Sequence, residues 1–499
     1  MKFITAFSSL VAITAATART AATSVNNNAQ KHYLFEGLSV SDIYESLKGS
    51  LSPFEAETLI NERNSKVHYS KVDSDVWPLD LSQYENLQVI RIPFDQTTIT
   101  DRAQFIQSIR KEHTVWEYTD RFMDVQLSNS ELDLLNYGHD YKLQYEIIIP
   151  DLAQSVYETY PNHQPQAEQD ILTSSDFHIE SELFFDQYRP LETIYGWLDL
   201  LKETYPDLVN IEHLGYTHEN REIKALHLSS ATGSNPTKKT VVITAGIHAR
   251  EWISVSTALY VIHQLLTRYG TNKRETLYLN HLDFLIIPVF NPDGYEYTWT
   301  RDRLWRKNRQ DTPIDECKGI DIDHSFGYHW SRSEDFPCGE SYSGEEQFQA
   351  VEAKVLDTYI NVTKVDHDIY GFLDLHSYTQ KILYPYAYSC DDSPRDIENL
   401  LELSYGLSKA VRMKKGKHYE VLPACKDRGT DVIPGLGAGS ALDYMYHIRA
   451  RWAFQFKLRD TGTHGFLLPS RSIRPVGKEI YSGIKYFCQF IINPELSLL

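Results

Sequence analysis

The alternation of apolar and polar residues predicts a small folded domain in the first third of the chain. Apolar residues alternate along 88–92, 122–127 and 145–149, which predicts three strands, and they recur at helical spacing along 102–111 and 128–137. The predicted order is therefore strand, helix, strand, helix, strand. Such an order over so short a segment indicates an α+β open sandwich.

From residue 188 onward, strand-like and helix-like segments alternate at the spacing that is typical of α/β proteins. The predicted strands are 239–245, 282–290, 370–375 and 451–458, and the predicted helices are 191–205, 252–269, 395–414 and 477–492. The sequence therefore predicts a second, larger domain of the α/β class, in which helices flank a sheet.

Polar segments lie on both sides of the small domain. Residues 19–79 contain one helix-like stretch at 53–63 and are predicted to form an N-terminal extension. Residues 159–183 include Pro161 and Pro165 and are typical of an exposed linker. The predicted divisions are the extension at 19–79, the small domain at 80–158, the linker at 159–183 and the large domain at 184–499.

Residues 1–18 predict export from the cell. Lys2 precedes an apolar run at 3–16, and Ala16-Thr17-Ala18 has the small residues of a signal peptidase site, so we expect cleavage after Ala18. A buried first helix is the alternative interpretation of this run. No later run approaches the ~20 apolar residues that a membrane helix needs. We therefore predict a protein without a membrane span that is secreted to the cell wall or the medium, or delivered to the vacuole.

The net charge limits the kinds of partner. The 499 residues carry a formal net charge of -19 at pH 7. A protein that binds nucleic acid or an anionic membrane needs a basic face. We therefore exclude nucleic acid as the main partner.

The chain has five cysteines and one glycosylation sequon. Cys317 and Cys338 flank a glycine- and aromatic-rich segment and are the preferred disulfide pair, with Cys390 and Cys425 as a weaker candidate pair. Cys488 lies in an apolar stretch and is predicted to be a buried free thiol. The sequon begins at Asn361, which we expect to lie in an exposed loop and to be a glycosylation site.

Three potential metal ligands follow predicted strands. His248 and Glu251 come shortly after the strand at 239–245, and His376 directly follows the strand at 370–375. Because open α/β sheets present ligands at the carboxyl ends of their strands, we expect these side chains to meet. Two imidazoles and one carboxylate are the ligand set of an open, water-carrying zinc site. The sequence therefore predicts one zinc ion per chain.

Several short motifs occur in a fixed order along the large domain. They are Gly246-Ile247-His248-Ala249-Arg250-Glu251, Asn291-Pro292-Asp293-Gly294-Tyr295, Gly319-Ile320-Asp321, Leu375-His376-Ser377-Tyr378 and Leu458-Arg459-Asp460-Thr461-Gly462. With these motifs, the segment from 184 to the C-terminus resembles the zinc metallocarboxypeptidases of the A/B type. Residues 80–158 resemble the propeptide of their zymogens.

This resemblance implies a fold and a set of site residues. The fold is a mixed eight-stranded sheet flanked by helices, preceded by the propeptide-like sandwich. The zinc ligands are His248, Glu251 and His376, and Asp321 orients His248, because a ligating imidazole needs its second nitrogen paired. The positions that surround a substrate are Arg250, Arg306, Asp323, His324, Ser377 and Tyr378. The two arginines match those that meet a substrate's terminal carboxylate and polarise its scissile carbonyl.

One position departs from the family pattern in its chemistry. Active members have a glutamate just before the Leu-Arg-Asp-Thr-Gly motif, as the general base that activates zinc-bound water, and this chain has Lys457. Loss of a positioned base typically lowers a rate by ~10²- to 10⁴-fold. A lysine about 5 Å from a zinc ion paired with Glu251 is also repelled by ~3 kcal/mol at an effective dielectric of about 20. We therefore expect the pKa of Lys457 to fall or its side chain to turn away.

The groups that hold a substrate's terminal carboxylate are altered as well. Where the family has an Asn-Arg pair, this chain has Asp323-His324. An aspartate repels a carboxylate, and a histidine lacks the planar fork of a guanidinium. The mobile tyrosine of the family has no counterpart in 434–440. The base, the clamp and the tyrosine are thus lost together, while the zinc ligands remain.

Three hypotheses follow. The preferred one is a secreted, zinc-binding pseudoenzyme that acts as a monomer by binding. It resembles the inactive metallocarboxypeptidase-like proteins of fungi, which implies a role in cell-wall organisation with peptides or cell-wall components as partners. The second is an active zinc exopeptidase with an atypical base, in which Asp323 binds a cationic group of the substrate. The third is a structural protein without the metal.

The absence of lysine and arginine between Lys142 and Arg189 favours the pseudoenzyme hypothesis, because a trypsin-like protease could not release the propeptide-like domain.

Overall fold

The structure is a computed structural model that describes residues 79–94, 102–137, 143–161, 183–230, 238–332, 336–414 and 416–493. The predicted signal peptide, the helix predicted at 53–63 and most of the predicted linker at 159–183 lie outside the described residues.

The small domain is an α+β sandwich, as predicted. Its elements in chain order are β1 (Leu87–Pro93), α1 (Arg102–Glu112), β2 (Thr114–Tyr118), β3 (Phe122–Ser128), α2 (Asn129–Tyr137), β4 (Glu146–Ile149) and α3 (Leu152–Tyr157). The strands form an antiparallel sheet in the order β2-β3-β1-β4. The five predicted elements are confirmed. Strand β2 and helix α3 were not predicted, because β2 is a five-residue edge strand in which Glu117 breaks the apolar pattern and α3 has only six residues.

Strand β1 packs against two cores at once. Ile90 and Ile92 belong to the core beneath α1, whereas Val89 belongs to the large core that continues through the second domain. A strand that is covered on both faces is an interior element rather than a surface one. The small domain therefore packs as an integral part of the molecule.

The large domain is built on a mixed eight-stranded sheet, which confirms the predicted fold class. Its strands are β5 (Val209–Tyr216), β6 (Glu222–Leu228), β7 (Lys239–Ala245), β8 (Leu282–Ile287), β9 (Asp368–Ser377), β10 (Lys381–Tyr384), β11 (Glu420–Pro423) and β12 (Trp452–Leu458). Their spatial order is β11-β10-β12-β9-β7-β8-β6-β5.

Helices flank this sheet. They are α4 (Leu191–Thr204), α5 (Trp252–Arg268), α6 (Lys273–His281), α7 (Pro292–Thr300), α8 (Val351–Val362), α9 (Ile397–Met413), α10 (Ala424–Arg428), α11 (Ala441–Ile448) and α12 (Ile473–Ile492). Among the helices that the structure describes, none combines the length and the apolar composition that crossing a bilayer requires.

The four strands predicted in the large domain are the central ones of the sheet. β12, β9, β7 and β8 are parallel neighbours, and every residue of β8 is buried. Buried parallel strands have nearly continuous apolar runs, which makes them easy to recognise. The unpredicted strands lie nearer the edges, where β10 and β11 have only four residues each and β5 is half-exposed.

The predicted cysteine chemistry is confirmed. Disulfides join Cys317 to Cys338 and Cys390 to Cys425, and Cys488 is a buried free thiol. The first disulfide fixes the chain two residues before Glu340, and the second anchors the start of α10. Both segments reach the candidate site described below.

The expectation that Asn361 lies in a loop is wrong. Asn361 is exposed, but it is in the last turn of α8. Its side-chain amide donates to the carbonyl and the carboxylate of Asp357, one turn earlier. Thr363, the third residue of the sequon, also donates to the Tyr359 carbonyl of the helix. The sequon therefore begins at the end of a helix.

Gly429 marks a close approach between the two domains and yields a stability prediction. It has φ +65°, and a Cβ there would lie 1.2 Å from the Tyr118 hydroxyl oxygen, whereas a Cβ at Gly270 (φ +77°) would meet nothing within 4 Å. We expect Gly270→Ala to lower the free energy of unfolding by roughly 1–2 kcal/mol, the cost of the left-handed backbone alone. Gly429→Ala should lower it by about 1–3 kcal/mol more, because Tyr118 must move. Urea unfolding of both variants measures the difference, and equal effects would contradict the interdomain contact.

Candidate metal centre

The candidate site lies where three parallel strands end side by side. β12, β9 and β7 are neighbours in the sheet. Their carboxyl ends present Lys457, His376 and the turn that carries His248 and Glu251, in line with the general placement of ligands in open sheets. The strand register pairs Lys457 with His376, so these two side chains leave the sheet on the same face.

His248, Glu251 and His376 converge in a buried cluster. His248 Nδ1 lies 2.8 Å from Glu251 Oε1, and His376 Nδ1 lies 3.2 Å from Glu251 Oε2. The two Nδ1 atoms are 3.1 Å apart. Ligand atoms around a tetrahedral zinc ion with bonds of ~2.1 Å are about 3.3 Å apart. The spacing of these three side chains therefore fits a zinc ion.

The opposite nitrogen of each imidazole is held by a carboxylate. His248 Nε2 lies 3.2 Å from Asp321 Oδ1, and His376 Nε2 lies 2.8 Å from Asp374 Oδ2. Because a carboxylate accepts hydrogen bonds, each Nε2 carries the proton and each Nδ1 presents a lone pair. Two lone pairs and a carboxylate thus face one another, and a cation between them satisfies all three.

Glu251 is held as an anion. Burial opposes its ionisation, but positive charge on the neighbouring His248 and His376 imidazoles holds the pKa of Glu251 well below its usual value, a role that a bound cation would take over when both rings are neutral. The backbone N–H of Ser377 donates to Glu251 Oε2 at 3.1 Å. Ser377, expected near a substrate, thus orients this carboxylate through its main chain.

Asp321 joins the imidazole to an arginine. Its Oδ2 accepts from Arg306 Nε at 3.1 Å and from Arg306 Nη2 at 2.9 Å, while its Oδ1 faces His248. Burial would raise the pKa of Asp321, but Arg306 and His248 hold it well below its usual value. Arg306 therefore lies at the cleft with its charge already neutralised.

Arg250 is neutralised in the same way. Its guanidinium makes a bidentate ion pair with Glu340, at 3.1 and 2.8 Å, and lies 4.2 Å from the centre of the Phe466 ring. Of the two arginines expected to meet a substrate, neither presents an unpaired charge to the cleft.

Lys457 makes two salt bridges. Its Nζ lies 2.7 Å from Glu117 Oε2 and 2.7 Å from Asp427 Oδ2. Burial would lower the pKa of Lys457, but Asp427 and Glu117 together raise it above its usual value. The expectation was that this pKa falls or that the side chain turns away, and it did not include the two carboxylates to which the ammonium is directed. The cation is stabilised where it stands.

The same carboxylates offset a second lysine. The register places Lys381 of β10 directly opposite Lys457 of β12, and like charges opposite each other destabilise a sheet. Asp427 lies between them, because its Oδ1 accepts from Lys381 at 2.6 Å. Burial raises the pKa of Glu117 although Lys457 opposes the rise, whereas the two lysines hold the pKa of Asp427 below its usual value. Asp427 therefore offsets the charge of both lysines.

Strand β2 of the small domain forms one wall of the cleft. The cavity is small, about 140 Å³, and Trp116, Glu117 and Tyr118 line it together with the metal-ligand cluster. The Trp116 and Phe466 rings are 5.3 Å apart, and the Tyr118 hydroxyl donates to the Arg428 carbonyl at 2.9 Å. These contacts were not predicted. The signal in the sequence that could have indicated them is Glu117, a charged residue within an otherwise apolar edge strand.

Asp323 and His324 are both buried, although His324 also lines the cavity. Asp323 Oδ2 accepts from Arg428, and its Oδ1 accepts from the backbone of Ala441 at 2.9 Å. His324 Nδ1 donates to the Ala438 carbonyl at 3.0 Å. Burial lowers the pKa of His324 to about 4, so the ring is neutral. Arg428, a third cleft arginine, was missed because it lies far from the family motifs in sequence.

Tyr378 bonds to the small domain. Its hydroxyl donates to Asp124 Oδ2 at 2.6 Å, and Asp124 also accepts two hydrogen bonds from Arg91, both at 2.7 Å. Burial raises the pKa of Tyr378 well above its usual value. This side chain therefore contributes to the domain interface.

Each carboxylate that lines the described cavity already has a partner. Glu251 faces the two imidazoles, Glu340 pairs with Arg250, and both Glu117 and Asp427 pair with Lys457. A general base must hold a free lone pair within reach of the proton it removes. Among the described side chains of this cavity, each carboxylate is instead committed to an ion pair with a neighbouring side chain.

The chain is similar in sequence to known proteins. The family model for zinc carboxypeptidases matches residues 194–483. The inactive metallocarboxypeptidase ECM14 of Saccharomyces cerevisiae is 54% identical over 414 residues, which cover 83% of this chain and 94% of that protein. The inactive metallocarboxypeptidase ecm14 of Sclerotinia sclerotiorum is 40% identical over 410 residues, which cover 76% of this chain and 69% of that protein.

Solved structures share the fold. The crystal structure of thrombin activatable fibrinolysis inhibitor superimposes with a TM-score of 0.68 at 25% identity, covering 82% of this chain and 99% of that one. The bovine inhibitor, in complex with tick carboxypeptidase inhibitor, gives a TM-score of 0.55 at 32% identity, covering 62% of this chain and 99% of that one.

The pair formed by Glu117 and Lys457 yields a test of the coupling between the domains. A double-mutant cycle with Glu117→Gln and Lys457→Met should give a coupling energy of about 1–3 kcal/mol in urea unfolding at pH 8, because both groups are buried. The matched control is the exposed pair of Arg121 and Glu420, which also joins the domains. That pair should couple by less than about 1 kcal/mol, and similar values for the two cycles would contradict the assignment.

Proposed function

The chain belongs to the zinc carboxypeptidase family, and we propose that it is a secreted, zinc-binding member that lacks peptidase activity and acts by binding. The observation that carries this proposal is the pair of salt bridges that Lys457 makes with Glu117 and Asp427. At the position of the family's general base there is a cation whose pKa is raised, so it cannot accept a proton from water. The relatives named above as inactive metallocarboxypeptidases support the same conclusion.

The ligand cluster supports the zinc part of the proposal. His248, Glu251 and His376 would hold the ion, with Asp321 and Asp374 fixing the two imidazoles through Nε2. A zinc ion bound there supplies a Lewis acid that polarises an oxygen atom of a ligand. The side chains of this chain bind and orient, but they provide no base.

The class of ligand follows from the wall of the cleft. Glu340 and Asp321 already neutralise Arg250 and Arg306, so neither arginine offers an unpaired charge to a free α-carboxylate. We therefore place peptides or cell-wall components among the ligands, and we expect affinity to come from the zinc ion and the small cavity rather than from a carboxylate clamp.

Export and a cell-wall role extend the proposal. The apolar run at 3–16 and the sequon at Asn361 support export, and two disulfides are typical of proteins that fold in an oxidising compartment. Secretion to the wall, or delivery to the vacuole, and glycosylation of Asn361 belong to this proposal. Cell-wall organisation rests on the resemblance to the fungal inactive proteins alone.

The alternative is an active exopeptidase in which Asp323 grips a cationic group of the substrate. The contacts of Asp323 count against it. Arg428 and Gln455 occupy its Oδ2, and the Ala441 backbone N–H occupies its Oδ1. A substrate cation would have to displace a buried arginine.

Absence of turnover is the first expected result. Zinc-loaded protein, intact or cut within 159–183, should not hydrolyse a panel of acylated dipeptides with aromatic, basic or acidic C-terminal residues, because loss of a base lowers a rate by ~10²- to 10⁴-fold. Product formation is followed by chromatography. Turnover that disappears with a chelator, returns with zinc and is lost in Lys457→Ala would overthrow the proposal.

Zinc binding is the second expected result. His248→Ala should release one equivalent of tightly bound zinc relative to the native protein. Asp321→Asn should weaken binding at the same site by about 10- to 100-fold, because it orients the ligand without contacting the ion. The matched control is Asp311→Asn, an exposed carboxylate paired with Lys318. Elemental analysis after dialysis measures both effects, and unchanged zinc content in His248→Ala would contradict this site.

A further inference from the structure

We propose a second divalent-metal site, formed by Glu212, His227 and His367 near the edge of the large sheet where β5 lies. The ligand atoms of these three side chains lie within 4.8 Å of one another. The site takes a transition-metal ion of the zinc class. It uses none of the residues of the centre described above, so it does not depend on the proposed function.

The strand register builds the site. His227 of β6 lies opposite Asn210 of β5 and opposite Leu285 of β8. Side chains two positions along a strand share one face, so Glu212 of β5 and Asp283 of β8 lie on the same face as His227. A carboxylate, an imidazole and a second carboxylate therefore form a diagonal row across three adjacent strands.

The segment after α8 completes the cluster. His367 lies between α8 and β9, and its Nε2 is 3.5 Å from Glu212 Oε2. The other oxygen of that carboxylate, Oε1, is 3.0 Å from His227 Nδ1. Tyr359 of α8 donates to Glu212 and lies 3.1 Å from His367 Nε2. One carboxylate thus joins two imidazoles, as Glu251 does in the first cluster.

Two buried nitrogen atoms in this cluster have no hydrogen-bond partner. They are His227 Nε2 and His367 Nδ1, and His367 is only 5% exposed. The carboxylate nearest to His227 Nε2 is that of Asp283, at 3.6 Å, which is too long for a hydrogen bond. Both atoms lie on the ring edge opposite the one that faces Glu212, so the nitrogens that would hold the ion are His227 Nδ1 and His367 Nε2.

The donor set selects the metal. Two imidazoles and one or two carboxylates suit Zn²⁺ and its neighbours, whereas Ca²⁺ and Mg²⁺ prefer oxygen ligands alone. The side chains of Glu212 and His227 are 16% and 21% exposed, so an ion can enter from solvent. A bound ion would tie β5 and β6 to the segment that leads into β9, which is the strand that ends in His376.

Metal stoichiometry tests the inference. The intact protein is dialysed against Zn²⁺, or against Co²⁺, at pH 7.5, and bound metal is counted by elemental analysis. We expect two equivalents in the native protein and one in the double variant His227→Gln/His367→Gln. The matched control is His213→Gln, which changes the neighbouring histidine of β5, where it pairs with Glu222 on the opposite face. It should keep both equivalents.

A variant of the first centre separates the two sites. His248→Gln/His376→Gln should retain one equivalent, and that equivalent should be lost, or bound at least about 100-fold more weakly, when His227→Gln and His367→Gln are added, because the direct ligands are gone. If the retained equivalent persists in the combined variant, the ion binds elsewhere and the inference fails.

The native protein alone also gives a decisive readout, should a variant fail to fold. If it binds one equivalent and that one is lost on changing His248, then Glu212, His227, Asp283 and Tyr359 form only an ion-pair network. A second equivalent of Co²⁺ that shifts the imidazole resonances of His227 and His367 supports the site, and a second equivalent that leaves them unchanged overturns it.

Discussion

The buried salt bridges of Lys457 are the interaction on which the interpretation of this protein depends. A lysine at the end of a central strand, opposite His376 in register, would face a metal site and another lysine without compensation. Asp427 and Glu117 supply that compensation at 2.7 Å each. The two carboxylates come from different domains. The charge of Lys457 is therefore stabilised by both of them only when the small domain is packed against the large one.

This coupling changes the meaning of the propeptide-like domain. In a zymogen, such a domain is a cover that is removed. Here its contacts are part of the core: Val89 packs within the large core, Asp124 accepts from Tyr378, and Glu117 pairs with Lys457. Removing the domain would leave buried groups in the larger one without partners, and breaking a buried ion pair by removing one partner is strongly destabilising. The two domains are therefore best understood as one folding unit with a shared site.

The sequence allowed the metal-ligand cluster to be predicted but not its surroundings. The metal ligands follow two strongly apolar central strands, β7 and β9. The ends of these strands could therefore be predicted, and with them the convergence of His248, Glu251 and His376. The identity of Lys457 was also visible, yet the two carboxylates that hold its ammonium were not foreseen. Its partner Glu117 lies on a five-residue edge strand with a broken apolar pattern, and Arg428 meets Asp323 across 105 positions of sequence. Contacts between short, distant segments leave no local periodicity, so they became apparent only in the folded structure.

The charges around Lys457 also predict that one substitution would not restore the base. A glutamate at 457 would stand beside Glu117 and Asp427, with Lys381 as the one nearby lysine among the salt bridges described there. Three buried carboxylates sharing one ammonium cannot all ionise, because like charges in a low dielectric raise each other's pKa. The new carboxylate would therefore tend to be protonated, and a protonated acid accepts no proton from water. The metal-ligand cluster does not depend on the salt bridges of Lys457. His248 and His376 take their orientation from Asp321 and Asp374. A chain can thus lose catalysis through the electrostatics of one strand end and still keep a well-ordered site for a metal ion.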